Sequence, residues 1–149
     1  MACENAALAG SVVAAIKSFD PALILLAPVL SQLLLAGAAA GLKVVAEVFA
    51  DRSYTDAGKL VPRSQPDAVL HSADACVEQV LRMLDADGIV SLSGQMIRTE
   101  FHSICVHGDG PQAVAAATAI RTALLNAGID LVKLPEVLKS ASDVSPAMV

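Results

Sequence analysis

Short, continuous aliphatic runs alternate with helical patterns along the chain, and this alternation constrains the fold more than any other feature. The run at 22–27 contains no polar residue and the run at 43–49 contains only Lys43 and Glu47, as expected of strands that are covered on both faces. Helical patterns at 5–19 and 31–40 separate them. Such an order predicts a parallel sheet with crossover helices, that is, an α/β fold.

The second half continues the pattern after a polar loop at 50–66, which is longer than most compact domains contain without a functional reason. The sequence predicts a helix at 73–84, a hairpin around Ser93 and Gly94, a strand at 103–106, a helix from Pro111 to about residue 126, and a final strand at 129–132. We expect one domain over 1–149 with a flexible tail at 139–149. With 55% hydrophobic but only 3% aromatic residues, its core is expected to be aliphatic.

Charge and cysteine content restrict the partners and the compartment. The formal net charge is -5 and the basic residues are dispersed, which argues against nucleic acid or anionic lipid as a partner. No charge occurs between Asp20 and Lys43, but Pro28 breaks this stretch into pieces too short to span a membrane. Three cysteines at unrelated spacings and a start without a secretory signal predict a cytoplasmic protein.

The first polar segment follows the run at 43–49. Glu47 interrupts this apolar run, Asp51 and Arg52 come at its end, and Arg63 lies on the far side of the loop. Carboxylates there would serve as acid or base, and an arginine would bind a substrate carboxylate or phosphate. Alternatively, Glu47 and one of the arginines form a structural ion pair that braces the loop. For Tyr54, the only tyrosine, we expect a packing role.

The second polar segment, 107–111, lies between a predicted strand and a predicted helix. His107 would act as general base or metal ligand with Asp109 as its partner, while Gly108 and Gly110 would let a ligand approach the backbone closely. Alternatively, Asp109 caps the helix, His107 bonds to the backbone, and Gly108 and Gly110 are needed only for the turn. His71 and His102 have no ligand-like neighbour in the sequence, so we expect surface or satisfied histidines.

Three blocks in this order resemble the LamB/YcsF family. They are E-V-F-A-D-R-S-Y from Glu47, G-K-L-V-P-R-S-Q-P-D-A-V from Gly58 and I-C-V-H-G-D-G-P-Q-A-V from Ile104. Members resemble the A subunit of the prokaryotic ATP-dependent 5-oxoprolinase, which acts with subunits B and C to open the lactam of 5-oxo-L-proline to L-glutamate. The resemblance implies an irregular β/α barrel similar to that of glycoside hydrolases and polysaccharide deacetylases.

Three further family blocks, D-L-N-C-D-x-G-E, H-P-x-Y-P-D and K-P-H-G-A-L-Y, precede the position that matches Met1 and are absent here. The resemblance therefore implies that the chain holds only the C-terminal portion of the barrel, is inactive alone, and has an open edge that could self-associate. It implies ATP as cofactor, with a divalent metal as a further option.

The resemblance also implies roles for the matching polar residues. The expected catalytic residues are Glu47, Asp51, His107 and Asp109, and the expected substrate- or phosphate-binding residues are Arg52, Arg63, Gly108 and Gly110. Proton transfer is expected from His107 together with Asp109. Two other functions remain open, a metal-dependent deacetylase-like hydrolase and a non-catalytic binding or scaffold chain.

Overall fold

The computed structural model describes residues 1–143, and of 139–143 it describes the backbone alone. The helices are α1 (Ala6–Phe19), α2 (Gln32–Ala39), α3 (Ala73–Ala86), α4 (Ala113–Asn126) and α5 (Leu134–Asp143). The strands are β1 (Ile24–Pro28), β2 (Lys43–Phe49), β3 (Gly88–Val90), β4 (Met96–Arg98) and β5 (Ser103–Cys105). The predicted alternation of helix and strand is confirmed.

β1, β2 and β5 form a parallel sheet with β2 in the centre. β1 pairs with β2 along its whole length, and β5 pairs with the last three residues of β2. All three strands therefore end at the same edge of the sheet, and the two polar segments follow the strands β2 and β5 that end there. Both outer strands have an unpaired edge within the described chain. The described residues therefore show an α/β fold with a parallel sheet, and the barrel stays a prediction.

β3 and β4 form a separate antiparallel hairpin, as the sequence predicts. Its turn contains Gly94, whose φ of 91° lies in the left-handed region that favours glycine. The hairpin packs against α3, so this helix contacts a second, smaller sheet in addition to the parallel one.

The charge-free stretch is divided between β1 and α2, in agreement with the interpretation from the sequence. Ser31 caps α2, and its hydroxyl accepts a hydrogen bond from the Leu34 amide at 3.1 Å. Within residues 1–143, no helix combines the length and apolar character that crossing a bilayer would require.

The core is largely aliphatic, and it includes one cluster under α1 and another between α3 and α4. One cluster joins α1 to β1 through Val13, Leu25 and Ala27. Another joins α3 and α4 through Val80 and Ile120, with Ala50 from the end of β2 buried between them. Because Ala50 is fully buried in this cluster, the chain leaves β2 at a fixed point relative to both helices.

One prediction at the C-terminal end differs from the structure. The predicted strand at 129–132 is an irregular connection, because the Ile129 amide donates to the carbonyl of Leu124 and so completes the end of α4 after Gly128. The backbone of 139–143 continues α5, and the flexibility expected of 139–149 stays a prediction. Residues 144–149 lie outside the described part of the chain.

Candidate functional site

The centre of the site is a contact between Asp51 and His107. Nδ1 of the imidazole lies 2.8 Å from Oδ1 and 2.9 Å from Oδ2 of the carboxylate, and the His107 amide lies 3.3 Å from Oδ2. An ionised carboxylate can only accept, so Nδ1 carries the proton and donates it. Among the described residues no other hydrogen bond reaches the ring, which leaves Nε2 to exchange a proton with a ligand.

Strand register brings these two residues together. Glu47 pairs with Ser103 and Phe49 with Cys105. Side chains two apart on a strand share a face, so two more steps along both chains oppose Asp51 and His107. The imidazole stacks on the Phe49 ring at a centroid distance of 5.6 Å and an interplanar angle of 18°, which fixes its orientation.

A pocket of about 110 Å³ opens beside this pair. The acidic and basic side chains in its wall are those of Asp51, Arg63, His71, His107 and Asp109. Two of these are carboxylates and three can be cationic, so the pocket can bind an anion next to a base. It also borders the N-terminal ends of α3 and α4, where the helix dipoles add positive potential.

The two glycines of the second segment are not required by the backbone. Neither Gly108 nor Gly110 has a positive φ, and an added Cβ would meet nothing within 4 Å at either position. The alternative that they serve only the turn therefore has no steric basis here. Gly110 lines the pocket and Gly108 does not, so Gly110 is the position where a ligand would come close to the backbone.

Asp109 neither caps α4 nor hydrogen-bonds to His107 within the described chain. The residue before α4 is Gln112, and no side chain caps this helix, so Asp109 is not its cap. The partner of His107 is Asp51 instead of Asp109. Asp109 is exposed at the pocket mouth, where it can contact a ligand directly.

Glu47 lies two layers below the Asp51–His107 pair on the same sheet face. Its Oε1 accepts a hydrogen bond from the Ser103 hydroxyl at 3.3 Å, and it does not line the pocket. Within the described chain Glu47 forms no ion pair with Arg52 or Arg63, so the bracing ion pair is not observed.

Arg52 is committed to the loop. Its side chain is buried, with Nε donating to the Ala68 carbonyl at 3.1 Å and Nη2 to the Val61 carbonyl at 2.7 Å. Burial and then the charge of Arg63 lower the pKa of its guanidinium. Both bonds hold the far side of the loop over the end of β2, which brings the exposed Arg63 to the pocket.

Tyr54 has the packing role expected of it. It is 2% exposed in an apolar cluster with Val48, Met83 and Ile89, and its hydroxyl oxygen accepts a hydrogen bond from the Phe49 amide at 2.8 Å. Burial raises the pKa of its phenol well above the usual range. His102 is satisfied as expected, since its Nδ1 accepts from the Ala46 amide at 3.3 Å.

Two residues at the site were not identified from the sequence. His71 was expected on the surface and is exposed, but it also lines the pocket; its place just before the Ser72 cap of α3 could have indicated this. Gln79 donates from α3 to three carbonyl groups at the end of β2. No sequence signal distinguishes such a glutamine from an ordinary helix residue.

Neither a metal ion nor a thiol nucleophile is supported by the residues of the pocket. Among the side chains that the structure describes, no three from histidine, cysteine, aspartate or glutamate converge in a way that would hold a metal. Cys76 lines the pocket, but burial and then the Asp51 carboxylate raise the pKa of its thiol. It therefore stays protonated and unreactive near neutral pH.

Comparison with known proteins gives one family. The model of the LamB/YcsF family matches residues 1–139. The chain is 55% identical over 135 residues to the 5-oxoprolinase A subunit of Azoarcus sp. (strain BH72), covering 91% of this chain and 53% of the relative. It is 48% identical over 128 residues to the 5-oxoprolinase A subunit of Neisseria meningitidis serogroup C (strain 053442), covering 86% and 52%.

A solved structure shares the fold. The crystal structure of a lactam utilization protein from Thermus thermophilus superposes with a TM-score of 0.77 at 32% identity, covering 87% of this chain and 51% of that one. The chain thus spans about half the length of the relatives that it matches.

Proposed function

The chain belongs to the LamB/YcsF family, and we propose that it forms part of the A subunit of a cytoplasmic, ATP-dependent 5-oxoprolinase. In this proposal it acts with subunits B and C to open the lactam of 5-oxo-L-proline to L-glutamate. The observation that carries the proposal is the Asp51–His107 pair, which adjoins Arg63 in one pocket at the carboxyl ends of β2 and β5.

The substrate class fits the pocket in size and charge. The pocket volume of about 110 Å³ is smaller than the roughly 300–1,000 Å³ of sites that enclose drug-sized ligands. A pocket of this size suits a five-membered lactam with one carboxylate. We place the substrate carboxylate against the exposed Arg63, whose guanidinium binds it with two parallel hydrogen bonds. Gly110 lets the ring approach the backbone because no Cβ occupies that space.

Ring opening requires a water molecule to attack the lactam carbonyl. Nε2 of His107 takes a proton from this water as its oxygen bonds to the carbonyl carbon. The C–N bond of the ring then breaks, and the leaving nitrogen receives the proton back from His107. Asp51 keeps the imidazole in the tautomer with the proton on Nδ1 and stabilises its cationic form.

ATP would supply the activation that an inert lactam needs. A whole nucleotide does not fit the pocket as this chain forms it, so we assign its binding to the remainder of the assembly. The described residues likewise offer no ligand set for a metal, and the roles given to Asp51, His107 and Arg63 require none.

The test measures the release of glutamate from 5-oxo-L-proline in the presence of ATP. The assay uses the assembled enzyme, in which this chain is extended to the full length of its relatives and combined with subunits B and C. We expect His107→Ala to lower kcat by on the order of 100-fold or more. Arg98→Ala, an exposed change on β4 outside the pocket, should leave turnover intact. Unchanged turnover in His107→Ala would refute the assigned role, and absence of activity in the unmodified enzyme would refute the function.

A further inference from the structure

Gln79 connects α3 to the segment that carries Asp51. Its Nε2 lies 2.9 Å from the carbonyl oxygen of Phe49, 3.1 Å from that of Ala50 and 2.8 Å from that of Arg52. Carbonyl oxygens only accept hydrogen bonds, so the side-chain atom that faces them must be the nitrogen and not the amide oxygen. The two N–H groups of this one side chain are therefore shared among three of four consecutive carbonyl groups.

These carbonyl groups lie where the sheet stops supplying partners. The carbonyl of Glu47 still accepts a hydrogen bond from the amide of Val29 at 3.0 Å. β1 ends at Pro28, and the carbonyl of Phe49, on the same side of β2, accepts from Gln79 instead. A buried carbonyl without a partner is costly, so Gln79 takes the place of a neighbouring strand at the point where the chain leaves the sheet.

The fourth carbonyl, that of Asp51, is also held. It accepts a hydrogen bond from the Leu70 amide at 2.9 Å. The peptide groups before and after Asp51 are thus fixed by two separate elements, Gln79 of α3 and the returning loop. The direction of the Asp51 carboxylate follows from this backbone, and both of its oxygens lie within 2.9 Å of Nδ1 of His107.

We propose that Gln79 is a positioning residue of the site, which fixes the exit of β2 so that the Asp51 carboxylate meets the imidazole of His107. Its relevance to catalysis rests on the proposed function, whereas its effect on the Asp51–His107 contact does not. Gln79 lies outside the pocket that holds His107, so it acts through Asp51 and not on a ligand.

The decisive variant is Gln79→Met, which keeps the length of the side chain and removes both N–H donors. The matched control is Gln95→Met, because Gln95 is exposed in the β3–β4 hairpin and only its backbone forms a hydrogen bond there. The first readout is the ¹⁵N spectrum of the histidine ring nitrogens in the folded chain. We expect the His107 signal of a proton held on Nδ1 in the parent and in Gln95→Met, and its loss in Gln79→Met.

The second readout is steady-state kinetics of the assembled enzyme. A displaced carboxylate should lower kcat at least tenfold in Gln79→Met while KM changes less than twofold, because Arg63 is not displaced. A folded but less stable Gln79→Met with the parent's His107 spectrum and kcat would show a purely stabilising residue and overturn the proposal.

Two further arms keep the test decisive. If Gln79→Met does not fold, Gln79→Asn retains the amide but is one methylene shorter, and the same spectra decide. If the parent enzyme shows no 5-oxoprolinase activity, the function fails, and the ring spectra still confirm or overturn the positioning role.

Discussion

Nδ1 of His107 lies 2.8 Å from Oδ1 of Asp51, although the two residues are 56 positions apart in the chain. Each stands two residues beyond a cross-strand pair, Phe49 with Cys105. The contact is therefore a continuation of the parallel register past the ends of the strands. A substitution that shifts this register or the exit of β2 should therefore change the Asp51–His107 distance before other contacts of the site.

Removing the charge of Asp51 should impair catalysis without altering substrate binding. Asp51→Asn keeps the shape of the side chain but no longer favours the proton on Nδ1 of His107 or stabilises the imidazolium. We expect kcat for glutamate release to fall by on the order of 100-fold with little change in KM. Asp85→Asn is the control, since Asp85 is exposed on α3 and does not line the pocket. A loss in Asp85→Asn equal to that in Asp51→Asn would contradict the role assigned to the pair.

Arg63 should determine the affinity for the substrate carboxylate. A hydrogen-bonded charge is worth about 1.5–3 kcal/mol, so Arg63→Ala should raise KM for 5-oxo-L-proline roughly tenfold or more. Because Arg63 is exposed, the thermal midpoint should stay close to that of the parent. Arg63→Lys should recover only part of the loss, since an ammonium lacks the two-point geometry of a guanidinium. A KM unaffected in Arg63→Ala would remove it from the site.

Gly110→Ala should separate ligand binding from stability. The added methyl group meets no protein atom within 4 Å, so we expect a free energy of unfolding within about 0.5 kcal/mol of the parent and a clear rise in KM. Gly128→Ala is the opposite case, because Gly128 has a φ of 76° at the end of α4 and alanine there should cost about 1 kcal/mol. Urea unfolding and kinetics measure both quantities, and a Gly110→Ala enzyme with unchanged KM would mean that no ligand approaches this position.

Arg52 should matter for stability and not for binding. Arg52→Met deletes two hydrogen bonds from a buried guanidinium to loop carbonyls, so we expect a loss of roughly 2–4 kcal/mol in urea unfolding. Arg98→Met, on an exposed surface, should change stability by less than about 0.5 kcal/mol. An Arg52→Met chain of normal stability with a raised KM would instead support the substrate-binding role predicted from the sequence.

Tyr54 should make the fold sensitive to alkaline pH. Burial raises the pKa of its phenol above the ordinary value, so the folded chain keeps a proton that the unfolded chain releases from about pH 10 upward. The native state then binds more protons than the unfolded state, and the free energy of unfolding must fall as pH rises through that range.

Because Tyr54 is the only tyrosine, phenolate absorbance reports its ionisation directly. We expect the absorbance to rise only together with unfolding. In Tyr54→Phe the part of the alkaline destabilisation that starts near pH 10 should disappear, leaving the thiol contribution of Cys76 and Cys105, whose pKa values burial also raises. Ionisation of Tyr54 at an ordinary pH in the folded chain would contradict its burial.

Local pattern was enough for much of the fold. Continuous aliphatic runs specified β1 and β2, and the three-residue β5 was found because its apolar run leads into His107. The prediction of a strand at 129–132 is wrong. The amide of Ile129 already donates a hydrogen bond that closes α4, and an apolar sequence pattern carries no information about such a bond.

The sequence by itself determined which residues are candidates for the chemistry, since the order of strand, polar segment and helix places Asp51, Arg63 and His107 near the carboxyl edge of a parallel sheet. Only the tertiary structure decided which of them act together. It paired His107 with Asp51 and not with Asp109, and it committed Arg52 to the loop. The reason is that partner choice depends on cross-strand register and on which carbonyl groups remain unpaired after folding, and neither is encoded in local spacing.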